Sequence, residues 1–146
     1  MRGQALLLLP ILVLLVAGSG SADTPKFTAL HATRTIRPQF HLDPFDVTVR
    51  DMQTIQRLYE AALALPAVEP GATYFCPLSI GLVYHLDFLA HDFPVLKMSL
   101  EATGCRFLSI GQDDTRIAND PAFFDEVAQL VGLPTLVPHF PGQLAP

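Results

Sequence analysis

The stretch Ile80-Gly81-Leu82-Val83-Tyr84-His85-Leu86-Asp87-Phe88 sets Ile80, Leu82, Tyr84, Leu86 and Phe88 against Gly81, Val83, His85 and Asp87. That period of two marks a half-buried strand, and it is the longest strand signal in the chain. Ala90 to Phe93 reads as a turn. Beyond it Leu96, Met98, Leu100 and Ala102 alternate with Lys97, Ser99 and Glu101, giving a second strand with a polar face. Thr103-Gly104 supplies a tight connection in which glycine can take positive φ. Cys105 to Ile110 then reads as a third strand. Three consecutive strands joined by short turns predict an antiparallel meander.

Upstream, Phe45, Val47 and Val49 alternate with Asp46, Thr48 and Arg50, and Asp51 stands where a helix N-cap belongs. Met52, Ile55, Leu58, Tyr59, Ala62 and Leu65 recur at three- and four-residue spacings, and Pro66 stops the helix they define. Downstream, Asp120-Pro121 opens a second helix. Its buried stripe is Phe123, Phe124, Val127, Leu130 and Val131, its acidic Asp125 and Glu126 suit the helix dipole, and Gly132 with Pro134 closes it. The expected order is β-α-β-β-β-α. This is an α+β fold, with an antiparallel meander sheet and two helices on one face, in a single domain over residues 45–133. Residues 23–44, broken by Pro25, Pro38 and Pro44, read as an extended N-terminal arm with room for one edge strand near Thr33–Arg37. Residues 134–146 read as a proline-rich tail.

Residues 1–22 read as a secretory signal: Arg2, an apolar run from Ala5 to Val16, and small residues through Ala22. A run of 12 residues interrupted by Pro10 falls short of the about 20 needed to span a bilayer. No membrane span is expected in the mature chain, and no cysteine follows the run to carry a lipid. Without those 22 residues, 124 remain with 8 basic and 14 acidic groups, a net charge of −6. From Leu58 onward only Lys97, Arg106 and Arg116 are basic. A surface of that sign repels a phosphate backbone, so no nucleic acid is expected as a partner. In an oxidising exterior the pair Cys76 and Cys105 reads as one disulfide. The first and third strands of a meander are about 9.6 Å apart, too far for direct bridging. The loop carrying Cys76 must therefore lean across the end of the middle strand.

Candidate chemistry is sparse. His85, Asp87, His91 and Asp92 carry metal-binding groups near one hairpin, but without the repetitive spacing of a metal site. Asp113, Asp114, Asn119 and Asp120 lack the order of a calcium loop. Ser79 and Ser109 sit in a repeated Leu-Ser-Ile-Gly, residues 78–81 and 108–111, which is not a nucleophile elbow, and both copies fall in strand patterns. His31, His41 and His139 occupy unpatterned segments. No catalytic residue and no cofactor is implied.

Two resemblances follow from these residues. The strand–helix ending in Leu65-Pro66, Cys76-Pro77, the aromatic-rich strand, Gly104-Cys105 and the last helix closing on Leu133-Pro134 resemble uncharacterised small secreted bacterial proteins. That resemblance implies a compact domain with one disulfide and no activity. Cys76-Pro77-Leu78-Ser79, with a cysteine about 30 residues on, is similar to the reactive loop of secreted subtilisin-inhibitor-type proteins. It implies Leu78 as the primary specificity residue, flanked by Pro77 and Ser79, and Cys105 as the partner of Cys76. The chain lacks that family's second disulfide and adds a C-terminal helix. The leading expectation is an exported, non-catalytic domain binding an extracellular protein, an envelope component or a ligand. A protease inhibitor and a small secreted hydrolase stand as the alternatives.

Overall fold

The computed structural model describes residues 25–138. The expected signal segment and His139 lie outside them. The elements are β1 (Ala29–Thr35), β2 (Asp46–Val49), α1 (Met52–Ala64), β3 (Val83–Ala90), β4 (Phe93–Glu101), β5 (Phe107–Ile110), β6 (Asp114–Ile117) and α2 (Pro121–Leu130). The six strands form one sheet in the order β2-β1-β3-β4-β5-β6, every neighbour antiparallel. The α+β class and the β3-β4-β5 meander are as the alternation predicts.

Two strands exceed that expectation. Residues 29–35 do not lie at an edge: β1 pairs with β2 on one side and with all of β3's register from Val83 to Leu89 on the other. Leu30 and Ala32 are fully buried beneath the helices. β6 is also new, and its polar sequence has a physical cause. Arg116 donates from Nε and Nη2 to the two carboxylate oxygens of Asp114, at 2.6 and 2.7 Å. Its Nη1 donates to the carbonyls of Leu63 and Leu65, at 2.9 and 3.0 Å. Those are carbonyls at the end of α1 that the helix itself leaves unpaired. The edge position is thus filled by a charged pair that caps a helix. Arg116→Ala is expected to cost about 1–2 kcal/mol in chemical denaturation, the range for charge-assisted bonds at a half-exposed site.

One sheet face holds the core. Tyr84, Leu86 and Phe88 of β3 and Met98 and Leu100 of β4 are at most 1% exposed. They share a cluster with Ile55, Leu58 and Ala62 of α1 and Phe123, Phe124, Val127 and Ala128 of α2. Phe27, Tyr59 and Phe88 form a ring cluster, with centroids 4.8–6.2 Å apart. The Tyr84 hydroxyl reaches the Leu136 carbonyl at 2.9 Å, so this buried phenol also ties down the segment after α2. Both expected N-caps form: Asp51 accepts from the amides of Gln53 and Thr54, and Asp120 from that of Ala122.

Asp51, chiefly through the Thr54 hydroxyl, and Asp114, chiefly through Arg116, are held below the ordinary carboxyl value of 3.8. A carboxyl depressed in the folded state binds fewer protons than the unfolded chain. The stability these two contribute is therefore complete above 3.8 and is lost as pH falls below it. Melts between about pH 5 and pH 2 should show this acid loss, and Asp51→Asn, a cap that does not titrate, should flatten it.

Candidate functional site

The Cys76 loop and the 102–106 turn meet at the end of the sheet where β3 begins and β4 ends. After Pro66, the chain runs along the outer edge of β6: the amide of Ile117 donates to the Pro66 carbonyl and that of Val68 to the Thr115 carbonyl, both at 2.8 Å. Glu69 to Ala72 then turn, with Gly71 at φ +79°. From residue 73 to residue 79 no backbone–backbone hydrogen bond holds the chain, among the described residues. The chain rejoins the fold at Ile80, which is buried and whose carbonyl accepts from the Arg37 amide.

Three side-chain contacts tether that span instead. Cys76 and Cys105 are bridged, with Cα atoms 4.6 Å apart. The bond is intrachain, and the loop does cross the exit of β4, since β4 separates β3 from β5. Tyr74 packs its ring edge-on to Phe107, with centroids 5.2 Å apart. Ser79 lies over Gly104, where a Cβ would come within 2.8 Å of the Ser79 Cβ. Gly104 also has φ +83°. Gly104→Ala would meet both obstacles at once, so it is expected to cost about 1–3 kcal/mol in thermal melts.

Tethered in this way, the loop turns its apolar residues outward. Phe75 is 98% and Leu78 88% exposed, on either side of Cys76-Pro77. Between the loop and the 102–106 turn lies a groove of about 480 Å³, bounded by Phe75, Leu78, Thr103, Arg106, Asn119 and Val137. Two larger hollows, about 660 and 510 Å³, lie between α1 and α2 and are not lined by residues of the 74–78 loop.

His85 and Asp87 lie on the sheet face that no helix covers. His85 faces the Thr35 hydroxyl from Nε2 at 3.1 Å and the Ser99 hydroxyl from Nδ1 at 3.3 Å. Asp87 stands between His31 of β1 and Lys97 of β4 in register. His91 occupies the β3–β4 turn with φ +50°. These side chains do not converge: among the described residues no three His, Cys, Asp or Glu groups are placed to hold one metal ion. Asp114 and Asp120 are engaged with Arg116 and the α2 cap. His31, for which the sequence names no partner, meets Asp46 at 2.9 Å across the β1–β2 pair. The first Leu-Ser-Ile-Gly copy lies before β3 rather than in a strand, and its Ser79 hydroxyl accepts from the Gly81 amide at 3.1 Å. The second copy is in β5 as its alternation predicts.

Pro77, Leu78 and Ser79 thus sit in an exposed loop and the cysteines pin it. Phe75, Tyr74 and Arg106 are the members of the site that sequence patterning misses. Among the described residues no helix is long and apolar enough to cross a membrane. Comparison with known proteins returns no matching family model, curated protein or solved structure.

Proposed function

We propose that this chain is an exported, non-catalytic binding domain, of the kind found among small secreted bacterial proteins, and that residues 74–78 form its contact with a protein partner. The observation that carries this reading is the exposure of Phe75 and Leu78 on a loop fixed by Cys76–Cys105. Covering each such side chain is worth about 1.5–3 kcal/mol. Because the disulfide already restricts the loop, little ordering entropy is lost on binding. Export rests on the signal-like residues 1–22 and agrees with a disulfide, a bond that persists in oxidising compartments. Phe93 and Val95 at the start of β4 are exposed as well, but among the described residues only the 74–78 loop joins its exposed apolar pair to a disulfide and a groove.

Capture from the native exterior tests the proposal. The mature protein should retain a partner that Phe75→Ser/Leu78→Ser releases, with the variant's melting temperature unchanged. Equal retention by both proteins would move the contact elsewhere.

The exposed, disulfide-bound Leu78 favours one second reading, inhibition of a subtilisin-class protease with Leu78 in the specificity position. Inhibition at micromolar protein, abolished by Leu78→Glu, is the expected result on that reading. An uninhibited protease eliminates it.

A further inference from the structure

The turn opposite the exposed loop carries an unusual concentration of unfavourable features. Gly104 and Arg106 both have positive φ, at +83° and +55°. The Thr103 hydroxyl is buried with no hydrogen-bond partner among the described residues. A left-handed backbone suits glycine and costs an arginine free energy, and such outliers cluster at sites that act on ligands. An arginine kept at such a position calls for a reason in its side chain.

The Arg106 guanidinium lies 5.0 Å above the centre of the Phe124 ring. Among the described residues it has no carboxylate partner and no side-chain hydrogen bond, whereas Arg116 is neutralised by Asp114. Lys97 faces Asp87 across the sheet. Arg106 is therefore a cation with no carboxylate partner among the described residues, and it borders the groove beneath Phe75 and Leu78. The Phe124 ring attracts the guanidinium from one side, and its N–H groups, unbonded among the described residues, can take a carboxylate in two parallel bonds.

We infer that the groove between the Cys76 loop and the 102–106 turn binds an extended segment of a partner protein in which an acidic residue stands beside an aliphatic or aromatic one. The carboxylate pairs with Arg106, and the apolar side chain rests against Phe75 and Leu78. A nucleic acid or another polyanion does not suit the groove, because Arg106 is the one cation among its described lining residues and the surrounding chain is net negative. This inference rests on the loop being the binding element, and it adds the chemistry of what the loop binds.

The test uses a displayed library of random peptides selected on the full mature protein. Sequences enriched for an acidic residue next to a large apolar one are expected. Synthetic peptides from that set should bind Arg106→Gly about tenfold more weakly or worse, the factor for losing a charge-assisted pair. The same variant relieves the left-handed strain, so its melting temperature should hold or rise, separating lost binding from lost folding. Phe75→Ser should weaken the same peptides. Apolar peptides without an acid, lost on Phe75→Ser but indifferent to Arg106→Gly, would overturn the carboxylate inference and leave the loop reading intact. No enrichment at all overturns both. Concentration-dependent dimerisation that Phe75→Ser abolishes would assign the groove to a second copy of this chain and likewise overturn the inference.

Discussion

Replacing Cys76 and Cys105 by serine is expected to lower stability by about 3–4 kcal/mol, the chain-entropy value for a closed loop of this length. The separation of 29 residues sets that number. For a domain of this size the loss corresponds to a melting temperature lower by roughly 10–20 °C. The local consequence is as informative as the global one. Residues 73–79 have no backbone–backbone hydrogen bonds among the described residues, so the bridge, the Tyr74–Phe107 contact and the Ser79–Gly104 contact are what hold them. Without the bridge, chymotrypsin should cut near Tyr74, Phe75 and Leu78 well before the sheet unfolds. Equal melting temperatures and equal cleavage rates for the oxidised protein and the double serine variant would show that the bridge does not organise the loop.

Leu30→Ala is expected to cost about 2–5 kcal/mol, the range for truncating a leucine in a close-packed core. Leu30 is fully buried, and in register it lies between Val49 of β2 and Phe88 of β3. Its loss opens a cavity beside the Phe27–Tyr59–Phe88 ring cluster, where rings pressed against β3 have little room to collapse. Were residues 29–35 a peripheral arm, the same substitution would cost less than about 0.5 kcal/mol, as for exposed positions. Denaturant melts separate the two outcomes with no overlap.

That prediction marks where the sequence stops being legible. The helices and the β3-β4-β5 meander are readable because their buried faces are filled with large apolar residues at a regular period. β1 buries Leu30 beside the small Ala29 and Ala32, and prolines on both sides obscure it, so its alternation carries little hydrophobic contrast. β6 is hidden for the opposite reason: Asp114 and Arg116 take positions where apolar residues would have advertised a strand, and they satisfy each other and the end of α1. The cysteine pairing follows from counting two thiols and noting that the meander brings them to one sheet end. Exposure in the loop follows from no pattern, because Phe75 and Leu78 have no period and sequence alone does not separate a buried aromatic from a displayed one. Arg106 is concealed further, since its positive φ and its lack of an acidic partner among the described residues arise only from the three-dimensional turn.

The open sheet face shows how spacing misleads in the other direction. His85 and Asp87 share a face as alternation requires, yet their neighbours are Thr35, Ser99, His31 and Lys97, a polar ladder in place of a ligand cluster. His91 is removed to the hairpin turn, at the far end of β3 from the disulfide loop.

The most direct test of a loop-centred binding domain is site-specific photocrosslinking of the protein expressed in its native cells. A photoreactive residue would be placed at Leu78, at Ser109 on the open sheet face, or at Gln56 on α1, one site per protein. One partner should be trapped from Leu78 and not from Ser109 or Gln56. A partner trapped from Ser109 or Gln56 while Leu78 gives none would contradict it.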